Sequence, residues 1–159
     1  MKAVDSVLVL HDIRSVHNVG SLFRTADGAG VSKIILSGYT PGPIDRFGAP
    51  RKDLCKVSLG AEKSVPWERR DTIEEAVAAL KADGYLIVAI EQHADSKPLL
   101  EWQPPAGARL AILLGNEVLG VTPHMLRASD VILEIPMRGE KNSLNVAVSG
   151  GIAMFALLR

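Results

Sequence analysis

Five apolar runs of strand length decide what this chain can fold into: Val7 to Leu10, Ile34 to Leu36, Leu86 to Ile90, Leu110 to Leu114 and Val131 to Ile135. All but the last, which Glu134 interrupts, are unbroken rather than alternating, and runs such as Val7-Leu-Val-Leu suit strands buried on both faces of a parallel sheet. Helical patterns stand between them. Strands alternating with helices give an α/β class, with a mainly parallel sheet flanked by helices. In such sheets ligands sit beyond the carboxyl ends of the strands. The 159 residues are enough for one sizeable core, so a single domain over residues 1–159 is expected, without repeat or linker.

Taken in order, Val4 to Leu10 reads as the first strand and His11 to His17 as a loop. Asn18 can cap the helix that follows, with Val19, Leu22, Phe23 and Ala26 on one face and Gly28 and Gly30 closing it. Gly38 to Pro50 holds three prolines and three glycines and must be a loop. Lys52 to Leu59 reads as a short helix, and Val65 to Glu68 as an edge strand tolerant of Pro66. Thr72 with Glu75 resembles a capping box for a helix ending near Gly84. His93 to Ala108, with three prolines, reads as loop, and Pro123 takes the first position of a short helix.

Three stretches carry the polar residues that the core does not need. Asn18-Val-Gly-Ser-Leu-Phe-Arg-Thr-Ala-Asp-Gly-Ala-Gly30 opens the first helix. Leu113-Leu-Gly-Asn-Glu-Val-Leu-Gly120 is an apolar strand followed by an acid in a glycine-bounded loop. In Ile135 to Ile152, Pro136 ends a strand, Gly139 bends a polar loop, and a helical run from Leu144 to Leu158 follows. Each places a loop or helix start, with free backbone N–H groups, at a strand's carboxyl end. Ser143 is open to two readings, a site hydroxyl or an N-cap. Glu117 is likewise either an active-site carboxylate that orients Arg24 or loop backbone, or a structural N–H acceptor that fixes the loop.

In this order and spacing the three stretches resemble the three motifs of the SpoU (TrmH) family of RNA ribose methyltransferases, within the SPOUT superfamily, over nearly the whole chain from Val7 to Leu158. The resemblance implies a C-terminal trefoil knot, a rare exception to the rule against threaded connections. It implies S-adenosyl-L-methionine bound in the knotted loops, at Leu114, Gly115, Ile135, Met137 and Leu144. These residues would supply apolar enclosure and backbone hydrogen bonds. It implies Arg24 as the catalytic residue with Asn18 beside it, and Glu117, Ser143 and Asn145 as the other polar positions. The reaction would move a methyl group to a ribose 2′-hydroxyl of structured RNA, tRNA or rRNA, with no metal. A guanidinium rarely loses its proton, so a fork on phosphate and developing oxyanion suits Arg24 better than a base.

The resemblance further implies a homodimer with the site near the interface. The last helix suits that contact, through Gly150, Gly151, Ala153 and Ala156 for close packing and Met154, Phe155, Leu157 and Leu158 for apolar area. The competing reading is that this helix covers its own sheet. Many family members carry an added N-terminal RNA-binding domain, which is not expected here.

Charge neither selects nor excludes nucleic acid. The chain is neutral overall, but Arg46, Arg51, Lys52, Lys56, Lys63, Arg69 and Arg70 crowd one segment, opposed by Asp45, Asp53, Glu62 and Glu68. The stretch Asp45 to Asp53, basic with one aromatic, is the best candidate for an RNA-facing surface. The single cysteine, Cys55, excludes a disulfide framework and reads as packing rather than nucleophile. Strand-length apolar runs and an opening Met1-Lys2 argue against a membrane span and a leader, so a cytoplasmic protein is expected. No dinucleotide fingerprint or P-loop follows the first strand. Two other readings stay open: a catalytically inactive RNA-binding protein of the same fold, and a SPOUT enzyme that methylates a base nitrogen.

Overall fold

The computed structural model describes residues 4–159; Met1-Lys2, on which the reading of no leader rests, lies outside them. Seven strands form one sheet: β1 (Ser6–His11), β2 (Lys33–Ser37), β3 (Trp67–Arg70), β4 (Tyr85–Ile90), β5 (Lys97–Pro98), β6 (Arg109–Leu114) and β7 (Val131–Glu134). Their order is β3-β2-β1-β6-β4-β7-β5, and every pairing among them is parallel. Six α-helices accompany them: α1 (Val16–Ala29), α2 (Lys52–Ser58), α3 (Ala61–Ser64), α4 (Ile73–Ala82), α5 (Pro123–Ala128) and α6 (Val146–Leu157).

Side chains alternate across a strand, so each strand feeds two cores. On β1, Leu8 and Leu10 point to one side with α1, α2, α3 and α6; Val7 and Val9 point to the other with α4 and α5. The continuous apolar runs are thus explained by helices on both faces. Most expected elements stand where the sequence puts them, with β3 at the sheet edge and Gly30 capping α1 in the left-handed region at φ 76°.

Three expectations need correction. Asn18 does not cap α1: Ser15 does, its hydroxyl accepting from the Asn18 N–H at 3.1 Å, and Asn18 sits buried in the first turn. The last helix starts at Val146 rather than Leu144, and its cap is Asn145, not Ser143. In both cases the cap is the side chain that reaches the free N–H groups, and sequence offers several polar residues within a turn. The stretch His93 to Ala108 is not all loop. Lys97–Pro98 pair with β7 as β5, and Leu99–Glu101 form a 3-10 turn whose Leu99 is buried. Proline at an edge strand costs no ladder bond.

Helix α6 has no charged residue and is apolar around its circumference, the signature of a helix with partners on more than one side. Its inner side packs on α1 and β6, where Gly150 has no room for a side chain: a Cβ there would lie 2.5 Å from Leu22 Cδ2 and 2.7 Å from Leu114 Cδ1. Met154 and Leu157 are buried in this chain's own core, so they are not free to form the intersubunit contact expected of them. Val148 and Phe155 point outward and are more than half exposed.

Gly150→Ala should therefore lower the unfolding free energy by about 1–3 kcal/mol through overpacking. Gly151→Ala, where the nearest atom would be Thr25 Cγ2 at 3.5 Å, should match or exceed the parent. Urea denaturation checks both; equal effects would mean that α6 does not approach α1 this closely.

Candidate functional site

At the carboxyl ends of β4, β6 and β7 a cavity of about 380 Å³ opens. Leu114, Gly115, Ile135, Met137 and Leu144, the five residues expected to hold the cofactor, all line it, as do Glu117, Ser143 and Asn145. Asn18 lies behind, in an adjoining groove of about 470 Å³ between α1 and α6 that shares Asn145 with the cavity. Arg24 lines neither. It is exposed on the outer side of α1, one turn beyond Ser21 and one before Gly28.

One run of hydrogen bonds joins the three motif loops. The Glu117 carboxylate accepts from the backbone N–H of Arg14 (3.1 Å to Oε1, 3.0 Å to Oε2) and of Ser15 (3.1 Å), just ahead of α1. The Asn18 amide donates to the same carboxylate at 3.3 Å. Its carbonyl accepts from Asn145 Nδ2 at 3.1 Å, and the Asn145 carbonyl accepts from the N–H groups of Ala147 and Val148 at the start of α6. Partial burial alone would raise the Glu117 carboxyl. The N–H donors of Arg14 and Ser15, and then Asn18, outweigh it and hold the group below the 4.5 of an unperturbed glutamate. A carboxylate at the amino end of α1 also opposes the helix dipole.

Glu117 forms no bond to Arg24; it accepts from backbone N–H groups, but those of Arg14 and Ser15 ahead of α1, and from the Asn18 amide, so it fixes a neighbouring loop to its own. The Asn18 side chain is likewise engaged at both ends, which makes it a positioning residue between two loops. Ser143 forms no hydrogen bond among the described residues and lies on the cavity wall, as does Glu134.

Sequence reading missed three residues that shape the cavity. Asn116, buried beside Glu117, donates to Asp12 O (2.9 Å) and Tyr39 Oη (2.8 Å) and accepts from the N–H groups of Val118 and Leu119. Its capacity is fully used. Glu91 accepts from the Val121 N–H at 2.9 Å, and Gln92 donates to the Asn142 carbonyl. The glycines flanking Asn116 flag the loop in the sequence, but not which of its side chains braces it. A Cβ on Gly115 would lie 2.4 Å from the Gly120 carbonyl oxygen, and Gly120 itself holds φ 66°. Cys55 stands apart: burial, then Glu62, pushes its thiol up, against a nucleophilic role.

The model of the SpoU rRNA Methylase family matches residues 5–155. The chain belongs to the SpoU family. Among its relatives is the 23S rRNA (guanosine-2′-O-)-methyltransferase RlmB of Escherichia coli, 32% identical over 96% of this chain and 59% of that protein. An AdoMet-bound rRNA methyltransferase from Sinorhizobium meliloti superposes with a TM-score of 0.85 at 28% identity, over 98% of this chain and 56% of that one. The A. aeolicus TrmH/SpoU tRNA modifying enzyme gives a TM-score of 0.81 at 25% identity, over 96% and 73%. This SpoU chain spans 59% to 60% of the length of the first curated relatives it matches. The mainly parallel sheet with flanking helices is the fold of these methyltransferase structures.

The pH dependence of stability follows from Glu117. Its folded value is depressed, so its contribution is complete above 4.5 and is lost as pH falls through the folded value. Glu117→Gln should melt below the parent at neutral pH, and the gap should close as pH falls below 4.5. Thermal melts of both proteins across that range check this; a gap independent of pH would mean that the carboxylate charge is not what holds the loops.

Proposed function

We propose that this SpoU chain transfers a methyl group from S-adenosyl-L-methionine to a ribose 2′-hydroxyl of tRNA or rRNA. The observation that carries the reading is the convergence of three motif loops, tied by Glu117, Asn18 and Asn145, on one cavity. Family membership and the names of the relatives point the same way.

The cavity fits the cofactor's chemistry. Its volume lies in the range of small-ligand sites. Leu114, Ile135, Met137 and Leu144 would enclose an adenine, with loop backbone at Gly115 for polar contacts. Glu91, Glu117 and Glu134 give the wall a negative character suited to a cationic ligand. When bound, the cofactor supplies a methyl group already activated on a sulfonium. The chain then has to place the acceptor hydroxyl, exclude water and stabilise the charge that develops on oxygen. Ser143, on the wall and with no bond of its own, is the side chain for direct contact, whereas Asn18 and Asn145 orient.

We also infer a C-terminal trefoil knot and a homodimer. The knot is supported by the position of β7, the last strand, which enters between β4 and β5 before the chain returns as α6. The dimer is supported by the outward apolar residues of α6 and by Arg24, which lies outside its own chain's cavity on the neighbouring helix. Pairing two copies across α1 and α6 would bring the partner subunit's Arg24 to each cavity. There its guanidinium would act as a fork on the RNA phosphate and the developing oxyanion. Residues 4–159 would then act as one catalytic unit. No helix among the described residues is long and apolar enough to cross a membrane; a cytoplasmic location is part of the proposal on the strength of the RNA-modifying relatives.

Incubation with labelled cofactor and unmodified tRNA and rRNA transcripts, followed by nucleoside analysis, should yield 2′-O-methyl products. A methylated base would favour the base-nitrogen reading, and cofactor binding without transfer the inactive one. Arg24→Ala should lower transfer by roughly 10²-fold with cofactor affinity unchanged. Leu144→Trp should block the cavity and abolish cofactor binding. Mixing and re-pairing the two inactive variants should restore about a quarter of parental activity, because a two-fold pair leaves one intact site in the mixed dimers. No recovery would mean that Arg24 serves its own subunit's cavity, and an Arg24→Ala protein as active as the parent would place Arg24 outside the site.

A further inference from the structure

The loop between β2 and α2 ends in a small, braced hairpin. Ile44 and Pro50 pair as an antiparallel bridge. Inside it the Asp45 carboxylate accepts from the N–H groups of Phe47 (2.8 Å) and Ala49 (3.0 Å), and the Asp45 N–H donates to Ala49 O at 2.8 Å. Gly48 makes the turn at φ 81°. The base is pinned too: Arg51 donates to Gly42 O, Arg69 donates to Gly38 O and Thr40 O, and Tyr39 Oη accepts from Asn116 in the cavity's own loop. This hairpin is a fixed feature, tied at its root to the candidate site.

At its tip the Phe47 ring is 80% exposed, with the Arg46 guanidinium 4.8 Å from its centroid. Tyr39, nearer the cavity, is 57% exposed. A braced backbone that holds a phenyl ring in water forgoes burial free energy, and none of the described residues covers it. The surrounding charge says what could. Among the described residues Arg46, Lys52 and Lys56 have no ion-pair partner. The nearby acids are engaged: Asp45 within the hairpin, Asp53 on the Leu54 N–H, Glu62 on Ser58 and the Gly60 N–H. Of the basic residues crowded in this segment, Arg51 and Arg69 are spent on pinning the loop, and Arg70 meets Glu68. An exposed ring with a stacked guanidinium and two free lysines matches an unpaired nucleobase flanked by phosphates. The loop that carries the hairpin leaves the carboxyl end of β2, two strands and so roughly 10 Å from the carboxyl end of β6, and Tyr39 at its start bonds Asn116 of the cavity's loop.

We propose that residues 44–50 form a base-stacking finger: Phe47 takes an unpaired nucleobase flanking the target nucleotide, while Arg46, Lys52 and Lys56 take the adjoining phosphates. The inference rests on the RNA reading above and narrows its substrate to RNA whose target ribose lies in a loop or other single-stranded stretch. A protein partner is disfavoured by the cations without ion pairs, Arg46 on the ring and Lys52 and Lys56 on the α2 helix that follows the hairpin.

The test is anisotropy with a dye-labelled single-stranded RNA of about 12 nucleotides and a blunt duplex of the same sequence. Phe47→Ala should weaken single-strand binding about tenfold, with Phe47→Trp restoring it. Duplex binding should be unchanged, since its bases are already stacked. Lys52→Ala and Lys56→Ala should each reduce the salt slope of single-strand binding by about 0.7. Cofactor-induced thermal stabilisation equal to the parent's shows that Phe47→Ala is folded. Equal single-strand affinity for Phe47→Ala and the parent overturns the finger, as does a changed oligomeric state with unchanged RNA affinity. A parent that binds the single strand through Phe47 but never transfers a methyl group overturns the methyl-transfer reading and leaves the finger standing. Methyl transfer that is indifferent to Phe47 does the reverse.

Discussion

The Glu117 carboxylate is the tie on which the candidate site depends. It lies in the loop after β6 but gives its lone pairs to the backbone ahead of α1 and to Asn18 within it. Through Asn18 the same tie reaches Asn145, which starts α6. Loops are ordinarily the most mobile parts of a fold. Here three of them share one partly buried polar network, and such networks position groups firmly only when each member is satisfied. Removing the carboxylate would orphan two N–H groups and an amide at once, so the cost falls on the geometry of the cavity more than on the sheet.

Close packing below the network gives it a foundation. Gly150 lets α6 settle against Leu22 of α1 and Leu114 of β6, the last residue before the Glu117 loop. The apolar inner side of α6 fixes the direction from which Asn145 reaches Asn18. Its outer side keeps Val148 and Phe155 in water, beside the face of α1 that carries Arg24. A helix that covers its own sheet and still exposes Val148 and Phe155 keeps apolar surface available for a contact. The two readings of α6 open at the sequence level are therefore compatible, with Met154 and Leu157 assigned to the inside.

The sheet was the most legible part of the chain. Apolar runs at β1, β2, β4, β6 and β7 are local signals, and the unbroken ones point to burial on both faces. The strand β5 was not legible, since two residues in a proline-bearing stretch carry no period. Helix starts were displaced because Ser15, Asn18, Ser143 and Asn145 are all competent caps, and geometry chooses among them. Every residue expected to hold the cofactor lines the cavity. What sequence could not carry was the wiring, because Asn18 meets Glu117 and Asn145 across 99 and 127 residues. The place of Arg24 was also hidden, because a motif shows that a residue belongs to a set and not which cavity it faces.

A crystal structure of the chain with S-adenosyl-L-homocysteine tests the central claim most directly. The adenosine should lie between Leu114-Gly115 and Ile135 to Leu144, with Glu117, Asn18 and Asn145 joined as they are here. A ligand seated in the groove between α1 and α6, or bound in the cavity with that run of hydrogen bonds broken, would contradict it.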